Sequence, residues 1–171
     1  MKNNNFETNL SKIEQLAAVR EEENYRFRRF LKNKNGAMID AIALCLHDEI
    51  TKVIDCKICA NCCIQLKPRL EKVDIDRLAR MEDMDSQEYM AKYCEVFEFG
   101  AIYLKTKPCR YVDNKKCSVY EHRPEECRLF PYTDKENFNA RLFSMIEYYE
   151  ICPIVFNVME KLKIEMRFLR K

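Results

Sequence analysis

A chain of 171 residues with 47% hydrophobic and 34% charged residues has a globular composition and is long enough to bury a core of its own. Its 30 basic and 28 acidic residues are interspersed and leave a net charge of +2, which gives no electrostatic case for nucleic acid as the main partner. The two glycines, Gly36 and Gly100, cannot build a dinucleotide loop, a P-loop or the glycine-rich turn of a nucleotide-fold methyltransferase, and two histidines, His47 and His122, exclude three-histidine zinc sites and HExxH chemistry.

The N-terminal residues are polar, carry no apolar run of signal-peptide type, and are followed by no segment of membrane-spanning length. The expectation is a cytoplasmic protein, without a membrane partner, whose thiols stay reduced and form no disulfide framework. From about Ser11 to Lys34, Leu10, Ile13, Leu16, Ala17, Phe27, Phe30 and Leu31 fall mostly on one helical face, which predicts one long amphipathic helix. Asn35-Gly36 ends it, and a second stripe of Ile39, Ile42, Ala43, Leu46, Ile50, Val53 and Ile54 runs to Cys56.

Cys56, Cys59, Cys62 and Cys63 then place four thiols in eight residues. Pro68 breaks the chain, and a short helix is predicted over Val73 to Met81. Another, capped by Asp85 or Ser86, ends near Tyr93. Val96, Phe97, Phe99, Ile102, Tyr103 and Leu104 predict strand on either side of Gly100. Arg110-Tyr111-Val112 and Ser118-Val119-Tyr120 flank turn residues centred on Asn114, so a hairpin should bring Cys109 nearly opposite Cys117. Arg123-Pro124-Glu125-Glu126-Cys127 reads as a helix start with Cys127 facing back to the hairpin. Arg141 to Tyr149 is read as strand, and Pro153 opens a last helix along Val155, Val158, Met159, Leu162, Met166 and Leu169. The fold class expected is α+β: a single domain over 1–171, with a helical lead-in at 1–55, a cysteine-centred core at 56–153 and a C-terminal helix at 154–171.

Crowded cysteines are not core filler. Two-residue spacers let one tight turn present consecutive sulfurs to a metal, and CxxCxxC followed by a remote Cys152-Pro153 has the form of a ferredoxin-type iron-sulfur run. Alternatively, Cys63 with Cys109, Cys117 and Cys127 makes a separate four-thiolate zinc site. The candidate metal ligands are therefore Cys56, Cys59, Cys62, Cys63, Cys109, Cys117, Cys127 and Cys152. Cys45 and Cys94 are read as small buried apolar residues. A thiolate-bound metal is anionic overall, so Arg110, Arg123 and Arg128 are expected as charge partners around the cofactor. A structural zinc site is worth about 10–16 kcal/mol in peptides against roughly 5–15 for a whole domain, so metal removal should loosen 56–153.

The opening cluster, Val73-Asp74-Ile75-Asp76-Arg77-Leu78-Ala79, and the segment from Pro108-Cys109 through Cys117, Cys127 and Pro131 to Cys152-Pro153 resemble the CxxCxxCC family of zinc- or iron-chelating domains, the YkgJ-type cysteine cluster proteins. Ala60 stands where the family often has glycine, and Asn61 is the residue expected to take a left-handed conformation in its place. The resemblance implies a cysteine-ligated metal. The function expected is an iron-sulfur protein, [4Fe-4S] in type with a second zinc or iron site, in electron transfer or as a cofactor domain. Its alternatives are a structural Zn2+ module offering its N-terminal helices to a protein partner, and an enzyme related to the flagellin lysine N-methylases, which carry a related cluster region.

Overall fold

The computed structural model describes residues 6–169 and shows an α+β protein that divides into two compact units, 1–55 with 131–171 and 56–130. Residues 131–153 thus belong to the helical unit.

The helical unit begins with α1, Leu10–Val19, whose first turn is capped by the Asn9 side chain accepting from the Lys12 amide at 3.1 Å. α2, Glu21–Leu31, follows after a break at Arg20, so the single helix expected over this stretch is two. The break falls where a polar residue interrupts the apolar stripe: Arg20 turns its guanidinium to Glu160, 2.5 Å away. Glu21, Glu22 and Glu23 open α2 and Arg28 and Arg29 close it, each suited to its end of the helix dipole. Ile13, Phe27 and Leu31 are fully buried, so the apolar faces of both helices are taken up by this unit's own core. α3, Gly36–Thr51, is capped by Asn35 and buries Ile39, Ala43, Leu46 and Ile50 at helical spacing.

In the cysteine unit, α4, Cys56–Cys59, and α5, Asn61–Gln65, carry the opening cluster. A small antiparallel sheet has β3, Ile102–Leu104, between β1, Arg69–Leu70, and β2, Cys94–Val96, with Leu70 opposite Ile102 and Cys94 opposite Leu104. α6, Lys72–Met81, and α7, Ser86–Tyr93, pack on each other, and the Asp85 cap of α7 accepts from the amides of Gln87 and Glu88. β4, Val112–Asp113, and β5, Lys116–Cys117, form a hairpin through left-handed Asn114 and Lys115, and α8, Glu125–Leu129, follows. The core joins Leu70, Ile75, Leu78, Tyr89, Leu104, Tyr111 and Val119, with Cys109 and Cys117 packed against it.

The chain returns to the helical unit with a 3-10 turn, Phe138–Arg141, held by Asp40, whose carboxylate accepts from the amides of Asn137 and Phe138 at 2.8 and 2.9 Å. α9, Leu142–Tyr149, replaces the strand expected there. Its aromatic composition favours strand, but Leu142, Met145 and Tyr149 are buried at a helical period, and tertiary packing decides. α10, Pro153–Glu165, has proline at its start and is buried almost all round, packing on α3, α9 and α1.

One polar cluster is enclosed in this unit. Lys163, 1% exposed, donates to Glu23 at 2.7 Å and Glu160 at 2.8 Å, while Tyr149 donates to Glu160 at 2.7 Å. Arg20, Lys163, Glu23 and Glu160 balance two charges of each sign. Burial alone would raise the Glu160 carboxyl, but Lys163 foremost, with Tyr149 and Arg20, outweighs it and holds the group below its ordinary value of 4.5. Removing one partner leaves an uncompensated buried charge. Lys163→Met should therefore cost about 3–5 kcal/mol in a denaturant titration, against little change for an exposed lysine such as Lys72. In the unfolded chain Glu160 takes its proton at higher pH than in the folded one. Its contribution is complete above 4.5 and drains away as pH falls through the lower folded value, so acid melts of Glu160→Gln should show a shallower pH dependence than wild type.

Candidate metal centre

Seven of the eight candidate ligands lie in the cysteine unit: Cys56, Cys59, Cys62, Cys63, Cys109, Cys117 and Cys127. Cys152 is buried at the cap of α10 in the helical unit. All ten cysteines are described, and none is joined to another in a disulfide. Of the two expected to be filler, Cys94 is buried within β2, but Cys45 is exposed, because it falls off the buried face of α3.

Two short helical turns carry the opening cluster. Between them Ala60 takes a left-handed conformation, φ 51° and ψ 12°, and is 5% exposed. The turn is thus made by Ala60 itself and not by Asn61, which is already the first residue of α5. The Cys63 amide donates to the Ala60 carbonyl at 3.0 Å, fixing the second turn on the first.

Cys63 is tied directly to the second cysteine segment, since its carbonyl accepts from the Cys109 amide at 2.8 Å. Cys109 in turn accepts at its carbonyl from Val112, which leads into the hairpin. The ladder pairs Cys117 with Val112, so Cys109 precedes the strand and does not sit opposite Cys117. Asn114 and Lys115 make a two-residue turn, so pairing begins at Asp113 with Lys116 and the ladder ends at Val112 with Cys117. α4 packs against β5, bringing the start of the cluster to Cys117.

Cys127 is placed by a buried carboxylate. Asp74, 1% exposed, closes a capping box at the start of α6, accepts from Arg77 at 2.5 Å, and accepts from the Glu125 amide at 3.2 Å. Arg77 also donates to the carbonyls of His122 and Arg123, each at 3.0 Å. The pair staples the 120–125 segment to α6, and α8 starts from there. Sequence spacing offered one signal for this, the three-residue interval from Glu71 to Asp74. Nothing in it pointed to the remote amide of Glu125. His122 is exposed, as a turn residue.

Cys109, Cys117 and Cys127 all feel the charge of Cys63. Burial raises Cys109 and Cys117, and the Cys63 thiolate adds to both. Cys127 is pushed up to about 12, first by burial and then by Cys63, Cys109, Cys117 and Glu126. Ionising it therefore costs on the order of 4 kcal/mol more than ionising an ordinary thiol. Cys63 goes the other way, to about 7, because the Cys62 side chain hydrogen-bonds to it and outweighs its burial.

The three arginines expected nearby have different surroundings. Arg110 lies 3.6 Å over the Tyr93 ring and 4.7 Å over Tyr111, is paired with Glu82, and donates to the Tyr111 hydroxyl at 2.8 Å. Its charge eases Cys109 slightly. Arg123 stacks 3.8 Å over Tyr120 and acts on Cys117. Arg128 is exposed and bonds to the carbonyls of Glu121 and Arg123. Lys57, within the motif itself, is a further cation, 5.0 Å over Tyr120.

A family model described as CxxCxxCC, putative zinc- or iron-chelating domain, matches residues 55–144. The chain belongs to the CxxCxxCC family. No curated protein and no solved structure matches it. The matched stretch contains all seven candidate ligands of the cysteine unit and stops before Cys152. The donor set of this CxxCxxCC core, sulfur alone with one thiol already near its ionised form at neutral pH, fits a thiophilic ion such as zinc or iron. Among the described residues no group of three or more His, Cys, Asp or Glu side chains is arranged as a closed metal cluster.

Two outcomes are expected. Ala60→Val, a branched side chain in a left-handed turn with no room for it, should cost about 2 kcal/mol or more in the metal-loaded protein, while Ala60→Gly is tolerated; melting curves decide. In metal-free protein at neutral pH, Cys63 should alkylate well before Cys127, as read by peptide mapping over time.

Proposed function

We propose that the chain is a cytoplasmic iron-sulfur protein, [4Fe-4S] in type, with a second four-thiolate zinc or iron site, and that it works in electron transfer or as a cofactor domain. The observation that carries this reading is the CxxCxxC run, with Cys56, Cys59 and Cys62 on two short helical turns joined at left-handed Ala60, while Cys63, Cys109, Cys117 and Cys127 remain in the same unit for a second ion. This quartet is costly to ionise fully without a cation, because burial and then the Cys63 thiolate raise Cys109, Cys117 and Cys127. With one it is a complete tetrahedral donor set.

In this reading the quartet takes the zinc or single iron, and Cys56, Cys59 and Cys62 supply three thiolates to the iron-sulfur cluster. When bound, the cluster supplies one-electron chemistry. Cys56 is exposed and Cys59 half-buried, which leaves that edge accessible to a redox partner. Lys57 and Arg123 around Tyr120, with Arg110 beyond Cys109, offset the negative charge of the thiolates. A structural zinc module is the second reading, favoured by the half-buried setting of the quartet and by zinc's tolerance of irregular ligand spacing.

Anaerobic purification followed by iron, zinc and acid-labile sulfide analysis separates the two. Brown protein with iron and sulfide is expected, and zinc alone would overturn the first reading. Cys127→Ser should remove the quartet's metal while leaving iron and sulfide at Cys56, Cys59 and Cys62. Loss of all metal from that variant would argue for one shared centre.

A further inference from the structure

The polar face left outside the helical unit's core is strongly one-signed at one end. Residues 26–34 contain Arg26, Arg28, Arg29, Lys32 and Lys34 and no acid. Among the described residues none of these five is in an ion pair, in contrast to Arg20 and Lys163 of the same unit.

Their positions are backed by aromatic rings. Phe168, just beyond α10, packs 5.1 Å from Phe27 and 5.4 Å from Phe30. Arg26 lies 6.0 Å over the Phe168 ring, and Lys34 lies 4.5 Å over Phe30. Arg26, Phe30 and Lys34 follow one another at four-residue spacing, with Lys34 just past the end of α2, and Arg28, Arg29 and Lys32 surround the same helix end. Arg167, exposed, adds a sixth charge next to Phe168. Glu165 is the one acid in residues 161–169. Ile164 and Leu169, 64% and 80% exposed, lie on the same terminal segment.

We infer that the adjoining ends of α2 and α10 form a basic patch that docks peripherally on an anionic lipid bilayer. The charge complementarity is with phosphate-bearing headgroups: clusters of this size on a helix are held to acidic leaflets by the surface potential. Exposed Ile164 and Leu169 suit the boundary between headgroup and acyl chain. Nucleic acid fits less well, because Phe30 and Phe168 are spent on each other and on the cations above them, leaving no free ring face for a base to stack on. A single acidic protein groove fits less well too, since the cations are spread from Arg26 to Lys34 and on to Arg167 rather than gathered at one point. No helix among the described residues is long and apolar enough to cross a membrane, so the docking is to the surface. This inference does not depend on which metal the cysteines hold.

The test is co-sedimentation of the full-length, metal-loaded protein with phosphatidylcholine vesicles, with and without roughly a quarter phosphatidylserine. Binding is expected only to the anionic vesicles, weakening strongly between about 0.1 M and about 0.5 M salt. Arg26→Glu with Arg29→Glu should lower the affinity at least about tenfold, while Lys72→Glu with Arg80→Glu, the same charge change in the other unit, should not. Lys32→Glu with Lys34→Glu, beyond the helix proper, serves if the first pair disturbs folding. Equal binding to neutral vesicles, equal loss in both sets of variants, or binding to poly-glutamate or a single-stranded RNA but not to vesicles would each overturn the proposal. Inorganic phosphate that displaces the protein at millimolar concentration would show a free-anion site and overturn it as well.

Discussion

Burial of ionisable sulfur, sharpened by a neighbouring thiolate, governs the cysteine unit. Cys63, Cys109, Cys117 and Cys127 come from a helical turn, a loop, a strand and a second helix; burial is the first cost of ionising the last three, and the Cys63 thiolate adds to each. The metal-free protein therefore favours neutral thiols at Cys109, Cys117 and Cys127, while Cys63 ionises more readily. A divalent or trivalent ion reverses that balance in one step, because a coordinated thiol gives up its proton outright. The rest of the cysteine unit serves this arrangement: Asp74 and Arg77 hold the approach to Cys127, the Cys63 carbonyl holds Cys109, and a two-residue turn sets Cys117.

The helical unit is organised on different physics. α10 is surrounded by α1, α3 and α9, and its one interior charge, Lys163, is neutralised by Glu23 and Glu160. This unit has a core with no call on metal, built from Ile13, Phe27, Ile39, Met145 and Val158 among others. It accounts for how a chain with so many cysteines can keep one part folded whatever the state of the thiols.

Much of the site was legible because metal ligation leaves marks in residue type and spacing. The four crowded thiols, the hairpin turn at Asn114 and the proline before α8 are local features, and local features survive in sequence. So do the Asp85 cap and the Pro153 helix start. What was hidden depends on contacts far apart in the chain. The break at Arg20 answers to Glu160, and α9 is helical because its neighbours bury one helical face of it, despite residues that favour strand. The staple from Asp74 to the Glu125 amide spans fifty-one residues and leaves no periodic trace. Ala60 shows a subtler limit: its left-handed backbone is dictated by two helical turns meeting there, and residue preference alone pointed to Asn61.

We expect a bound metal to stabilise the cysteine unit and to leave the helical unit unchanged. Hydrogen-deuterium exchange on metal-loaded and chelator-stripped protein tests it most directly. The account predicts that amides in 56–66 and 108–127 gain protection on metal loading while α3 and α10 exchange alike in both states. Identical exchange through 56–66 and 108–127 would contradict it, as would protection rising equally across both units.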